Sequence, residues 1–228
     1  MRVRWILVAA ALAGVLAGCG EEKIAGLENP EPDYLPYVSL DNLIDNLALA
    51  WEAGDLAEYR DSILYDGVMP AADGQVYAPF MFYYDRSSAD PNLPVADDNY
   101  ARELQRVVTM FAGLPGQDLS GKVYPGIKAI QLDLVKLSPW QSVADSVEAD
   151  ACPEGTQQLA MDTHILITLK SAIQGSNNIT AWLVNDRALF TCIPTGSPDA
   201  PRWRLWKWRD VVTGKSESAS FGAIKALY

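Results

Sequence analysis

Histidine occurs once in these 228 residues and cysteine three times, and 18 lysines and arginines face 29 acids. A single histidine argues against a mixed Cys/His zinc site. A formal charge of −11 is unfavourable for nucleic acid, where basic side chains must displace counterions. It is equally unfavourable for a peripheral grip on anionic lipid. No phosphate-cradling glycine loop, zinc spacing, Ser/His/Asp order or internal repeat is present. Beyond the N-terminus no run is long and apolar enough to span a bilayer as a helix.

What is present begins at the first residue. Arg2 and Arg4 precede an uncharged apolar run from Trp5 to Leu16. At roughly 1.5 Å per residue that run is too short to cross a hydrocarbon core of about 30 Å. A basic start, a short apolar stretch and small residues after it describe a secretory signal. Leu16-Ala17-Gly18-Cys19 resembles the lipobox of bacterial lipoproteins. The resemblance implies cleavage before Cys19, a diacylglyceryl group on its thiol and an acyl chain on its amine. Two or three chains on one residue give lasting attachment, each buried methylene contributing about 0.8 kcal/mol. Gly20 rather than an acid after the cysteine points to the outer membrane, facing the periplasm, if the source is Gram-negative. Loss of residues 1–18 removes Arg2 and Arg4 but no acid, so the charge moves to about −13. With Cys19 lipidated, Cys152 and Cys192 remain. An even pair in an oxidising compartment is expected to form a disulfide, the alternative being two separate buried thiols.

The chain divides into a signal peptide (1–18), a lipidated cysteine with a Pro-rich tether (19–38) and one domain (39–228). Ser39 is placed as an N-cap before Leu40, Leu43, Ile44, Leu47 and Trp51 at helical spacing. Gly54 closes that helix and Asp55 caps a second, with Leu56, Tyr59, Ile63 and Leu64 on one face. Residues 78–84 read as a strand, 85–98 as a polar loop, and a third helix starts near Asn99 and stops at Gly113-Leu114-Pro115-Gly116. Four strands follow, over 126–137, 158–171, 179–193 and 201–212, the third carrying a bulge near Asn185-Asp186.

Three segments carry a further resemblance: Leu43–Tyr65 with Tyr59-Arg60-Asp61-Ser62-Ile63-Leu64, the strand Trp203–Asp210, and the tail Phe221–Tyr228. With the order helix, helix, strand, helix and four strands, they resemble the nuclear-transport-factor-2-like superfamily, which includes ketosteroid isomerases and polyketide cyclases. More narrowly they resemble bacterial lipoproteins carrying that fold. The resemblance implies an α+β cone in which a curved antiparallel sheet wraps three N-terminal helices. It also implies a pocket at the wide end, where the superfamily's enzymes hold acid/base residues, and no particular activity.

Among candidate residues, His164 and Asp162 share a strand face and suit a general base with its orienter, or an ordinary rim pair. Phe82, Trp206 and Trp208 are candidates to line the pocket with aromatics, or to fill the core. Asp85, Asp97 and Asp98 could offer oxygens to calcium, or be merely solvated. No metal and no cofactor is expected. The leading expectation is a membrane-anchored, non-catalytic domain that binds a small apolar ligand or an envelope protein. The rivals are a pocket enzyme of the isomerase, dehydratase or cyclase kind, and a structural component that dimerises through the outer sheet face.

Overall fold

The computed structural model describes residues 32–87, 93–143, 152–176, 178–211 and 220–228, all within the unit Pro32–Tyr228. The signal segment, Cys19 and the first part of the tether lie outside the described residues. Residues 32–38, at the tether's end, lie against the domain. The Asn46 side chain accepts from Leu35 N (2.9 Å) and donates to Leu35 O (2.8 Å), and Trp203 N donates to Tyr37 O at 2.9 Å.

Local capping chemistry sets the helices. Asn42 N donates to Ser39 Oγ at 3.1 Å and opens α1 (Leu40–Ala53). Gly54, left-handed at φ 65°, ends it. Glu58 N donates to Asp55 Oδ1 at 2.9 Å and starts α2 (Leu56–Glu58). Here the expected second helix widens into a single π turn over Tyr59–Ile63, where Leu64 N donates to Tyr59 O at 3.0 Å. The wider turn buries both Tyr59 and Ile63 completely.

The strands are β1 (Met81–Tyr83), β2 (Asp98–Asn99), β3 (Gly116–Gln117), β4 (Val123–Tyr124), β5 (Ile127–Lys136), β6 (Gln141–Ser142), β7 (Gln157–Leu169), β8 (Ala181–Thr195) and β9 (Arg202–Val211). Between β2 and β3 lies α3 (Tyr100–Phe111), capped by Asn99, and α4 (Phe221–Lys225) follows β9. The main sheet runs β2-β1-β9-β8-β7-β5, with β6 beside β7, and β3 pairs only with β4. Its pairings are antiparallel except one, since β1 lies parallel to β9. The sheet is therefore mixed where a wholly antiparallel one was expected. β1 enters from the helical segment and not through a hairpin, so no tight turn dictates its direction.

One face of β7, β8 and β9 packs on the helices. Leu159, Met161, Ile165, Val184, Phe190, Leu205 and Trp208 join Leu43, Leu47, Ala50 and Trp51 of α1 in one core. Glu52 of α1 accepts from Leu132 N at 3.2 Å and covers a donor of the edge strand β5. The architecture is α+β, with N-terminal helices against one side of the sheet.

The bulge falls elsewhere than Asn185-Asp186. β8 keeps register with β7 from Ala181 to Cys192, and the slip lies against β9, where Thr191 faces Lys207 but Cys192 faces Leu205. Trp206 is the extra residue. This slip reverses the facing of every later β9 side chain.

The expected disulfide is not formed: no bond joins Cys152 to Cys192. Cys192 points into the main core, whereas Cys152 packs with Tyr65, Trp206 and Ile193. Ile193 follows Cys192 in β8 and faces the opposite way, so the sheet separates the two sulfurs. Burial pushes the Cys192 thiol well above its ordinary value.

Candidate functional site

The inner sheet face, where a pocket was expected, is filled by the chain's own rings. Trp208 stacks on Phe221 of α4 (centroids 5.3 Å apart) and meets Phe190 at 4.9 Å, Phe82 at 5.7 Å and Trp51 at 6.0 Å. All five side chains are buried to within 1 %. Two of the three pocket candidates, Phe82 and Trp208, are therefore core residues. Trp206 is turned to the other face by the bulge. There its indole N–H donates to Ala78 O at 2.8 Å, and Lys207 lies 4.0 Å above its ring.

Polar groups also fill this interior. Lys225 of α4 pairs with Glu103 of α3, and Tyr59 O–H donates to the same carboxylate at 2.8 Å. The Lys225 ammonium also sits 3.4 Å from the Phe82 ring centroid. Burial lowers the pKa of Lys225, with Glu103 opposing, and burial raises that of Tyr59. An ion pair so enclosed contributes little net stability, but breaking one half would strand a charge in the core.

A second knot surrounds Asp98, whose carboxylate accepts from Tyr84 O–H and from Arg106 Nε (2.5 Å). Arg106 also donates to Ala226 O at 2.9 Å. Asp97 is held by Arg86 at 2.8 Å. Arginine and tyrosine thus already engage Asp97 and Asp98, and among the described residues no cluster of three or more such side chains could hold a metal.

The start of α4 binds two further acids. Phe221 N donates to Asp186 Oδ2 at 3.3 Å, Gly222 N to Asp210 Oδ2 at 2.9 Å, and Ala223 N to Ser220 Oγ at 3.1 Å. Asp186 and Asp210 stand on neighbouring strands, 2 % and 3 % exposed. Burial first, and the charges of Asp186 and Asp85 next, raise Asp210 to about 7, while Gly222 N–H and Lys225 pull the other way. Glycine fits closely at 222, because a Cβ there would lie 2.7 Å from Asp210 Oδ2 and 2.8 Å from Tyr84 Cδ1, and both side chains would have to shift. The tail's remaining bonds, Gln117 N to Leu227 O (2.7 Å) and Tyr228 O–H to Pro125 O (2.7 Å), complete its attachment.

His164 and Asp162 lie on the outer face. His164 is exposed, its Nδ1 2.8 Å from Asn185 Oδ1, and Asp162 pairs with Arg187 at 3.3 Å. Neither touches the inner carboxylates. Sequence reading passed over Glu103, Asp186 and Lys225 as site residues. An acid and a base amid apolar positions of α3 and of the tail were the available signals.

Openings occur at the surface. A cleft of about 360 Å³ lies between Tyr83–Arg86, Asp97 and Arg209–Val211, with Asp210 among its lining residues. A groove of about 490 Å³ lies at the β8–β9 turn, against Ala72, Asp73, Glu154, Gly155, Gln157, three prolines and Trp203.

No protein-family model and no curated protein matches this chain. Among solved structures it is similar to a nuclear-transport-factor-2-like protein of unknown function in nutrient uptake from Rhodospirillum rubrum. The identity is 13%, covering 76% of this chain and 98% of that one, with a TM-score of 0.42. A protein from Kribbella flavida is 11% identical over 82% of this chain and 93% of its own, with a TM-score of 0.46. A nuclear-transport-factor-2-like superfamily protein from Salmonella enterica serovar Typhimurium is 12% identical over 78% and 92%, with a TM-score of 0.41. At these levels no activity transfers.

Proposed function

We propose that the protein is a lipid-anchored cell-envelope domain that works by binding and not by catalysis. One observation carries the non-catalytic half: the inner sheet face, where acid/base residues would need substrate access, is occupied by Trp51, Phe82, Phe190, Trp208 and α4. The anchoring half rests on Leu16-Ala17-Gly18-Cys19 behind a basic, apolar start. On this reading the lipid holds the domain at a membrane, facing the periplasm if the source is Gram-negative, and binding takes place at a surface opening. Outer-face dimerisation has less support, because that face carries the exposed His164 and Asn185 and the half-buried Asp162–Arg187 pair.

A second reading, a pocket enzyme, draws on Asp210, a buried acid poised near 7 beside Asp186. Against it, Asp210 Oδ2 is engaged by Gly222 N–H. Metabolic labelling with palmitate tests the anchor. The full chain should take label and enter the membrane fraction, and the Cys19→Ser chain should do neither. Label that persists without Cys19 would overturn the anchoring reading.

A further inference from the structure

We infer that the groove at the β8–β9 turn binds a small organic cation, an ammonium group carried on an apolar body. This deepens the binding reading above and rests on its non-catalytic half, not on the lipid. The groove's volume, about 490 Å³, falls within the roughly 300–1,000 Å³ of small-molecule sites. One wall is Pro194, Pro198, Pro201 and the half-buried Trp203 ring, apolar surface that suits a hydrocarbon body.

The chemistry of the other wall selects the charge. Proline has no N–H, so the apolar wall supplies three fewer backbone donors than other residues would. The polar side chains are Asp73, Glu154 and Gln157. Gln157 spends its amide hydrogens on Ser142 Oγ (3.0 Å) and Gly155 O (3.4 Å), which leaves its carbonyl oxygen to accept. Asp73 is fixed by Gln75 N (2.9 Å), Tyr77 O–H (2.6 Å) and Glu154 N (3.3 Å). Partial burial works against its charge, but these donors prevail and hold it below the ordinary carboxylate range.

Among the described residues no lysine or arginine lines the groove. Arg202, next to Trp203, is turned onto the Tyr37 ring at 5.9 Å. A ligand there meets two carboxylates and the Gln157 carbonyl, a wall that favours a donor carrying positive charge. An anion would face repulsion from both carboxylates, and a neutral body would shield the Glu154 carboxylate from water without giving it a partner. The floor is built in advance. Gly155, at φ +80°, brings its turn so close to Pro194 that a Cβ would lie 3.2 Å from its Cγ.

The test uses ¹⁵N-labelled full chain in a non-ionic detergent, with benzyltrimethylammonium as probe and benzyl alcohol and phenylacetate as neutral and anionic comparisons. The cation should give saturable shifts at Ala72, Gly155 and Trp203, at least about tenfold tighter than either comparison. Glu154→Lys, an exposed change that keeps the fold, should weaken the cation about tenfold or more, and rising salt should weaken it too. Equal binding of the three probes, shifts centred elsewhere, or no saturation by about 10 mM would each overturn the inference. The palmitate result is independent of this one, so failure of the anchor and failure of the groove are told apart.

Discussion

Replacing Asp210 by asparagine should remove a pH dependence that the fold places on its own stability. Asp210 is 3 % exposed, and burial is the main reason its carboxyl titrates near 7 in the folded chain against 3.8 in the reference state. Because the folded value is the higher one, the unfolded chain loses this proton first. The contribution is fully present below about pH 4, and it is lost as pH rises through about 7. The span from 3.8 to about 7 corresponds to about 4 kcal/mol in total, of which about 3 kcal/mol falls between pH 5 and pH 8. Asparagine keeps an oxygen to accept Gly222 N–H and carries no charge at either pH. Urea unfolding followed by tryptophan fluorescence, at pH 5 and pH 8, measures both proteins. Carboxylates held low, such as Asp41 and Asp61, are common to both and cancel in the difference. The variant should gain about 3 kcal/mol on the wild type in going from pH 5 to pH 8. An unchanged difference would refute burial as the cause of the raised Asp210 carboxyl.

Other substitutions probe the same interior. Lys225→Met should cost about 3–5 kcal/mol by stranding Glu103, and adding Glu103→Leu should recover part of that, the Tyr59 hydroxyl remaining unpaired; denaturant titration measures the cycle. Gly222→Ala should cost about 1–3 kcal/mol, read as a lower unfolding midpoint, because Asp210 and Tyr84 must both give way. Oxidation should leave the mobility of the Cys19→Ser chain on a non-reducing gel unchanged, and Cys192 should react with thiol reagents only on unfolding. His164→Ala should alter stability by no more than about 0.5 kcal/mol, since the ring is exposed and hydrogen-bonds to Asn185 at the surface.

Much of the fold was legible because it depends on local chemistry. Ser39 and Asp55 cap the helices at which they were placed, the third helix starts where it was expected, next to Asn99, and Gly54 ends α1. The four long strands lie where β-periodicity put them, to within a few residues. What alternation could not foresee was the extra residue at Trp206. Strict parity grouped Trp206 with Trp208, but the slip opposite Thr191-Cys192 sends them to opposite faces. The disulfide failed for a related reason, since parity within β8 says where Cys192 points but nothing about where Cys152 is carried. The tail was visible as a motif, yet five residues hold too little periodicity to announce a helix. Its burial depends on Asp186, Asp210, Glu103 and Arg106, contributed by distant parts of the chain.

On the proposed reading, closure of the inner face by α4 is what separates a binding domain from a pocket enzyme. Native-state amide exchange of Gly222, Ala223, Ile224 and Ala226 in the full chain, measured across low denaturant concentrations, tests that closure directly. These amides should exchange only with global unfolding, with the same denaturant dependence as Phe190 and Leu205 in the core. Rapid, denaturant-independent exchange of the four amides together would mean that α4 opens as a lid over a usable pocket, and would contradict the account.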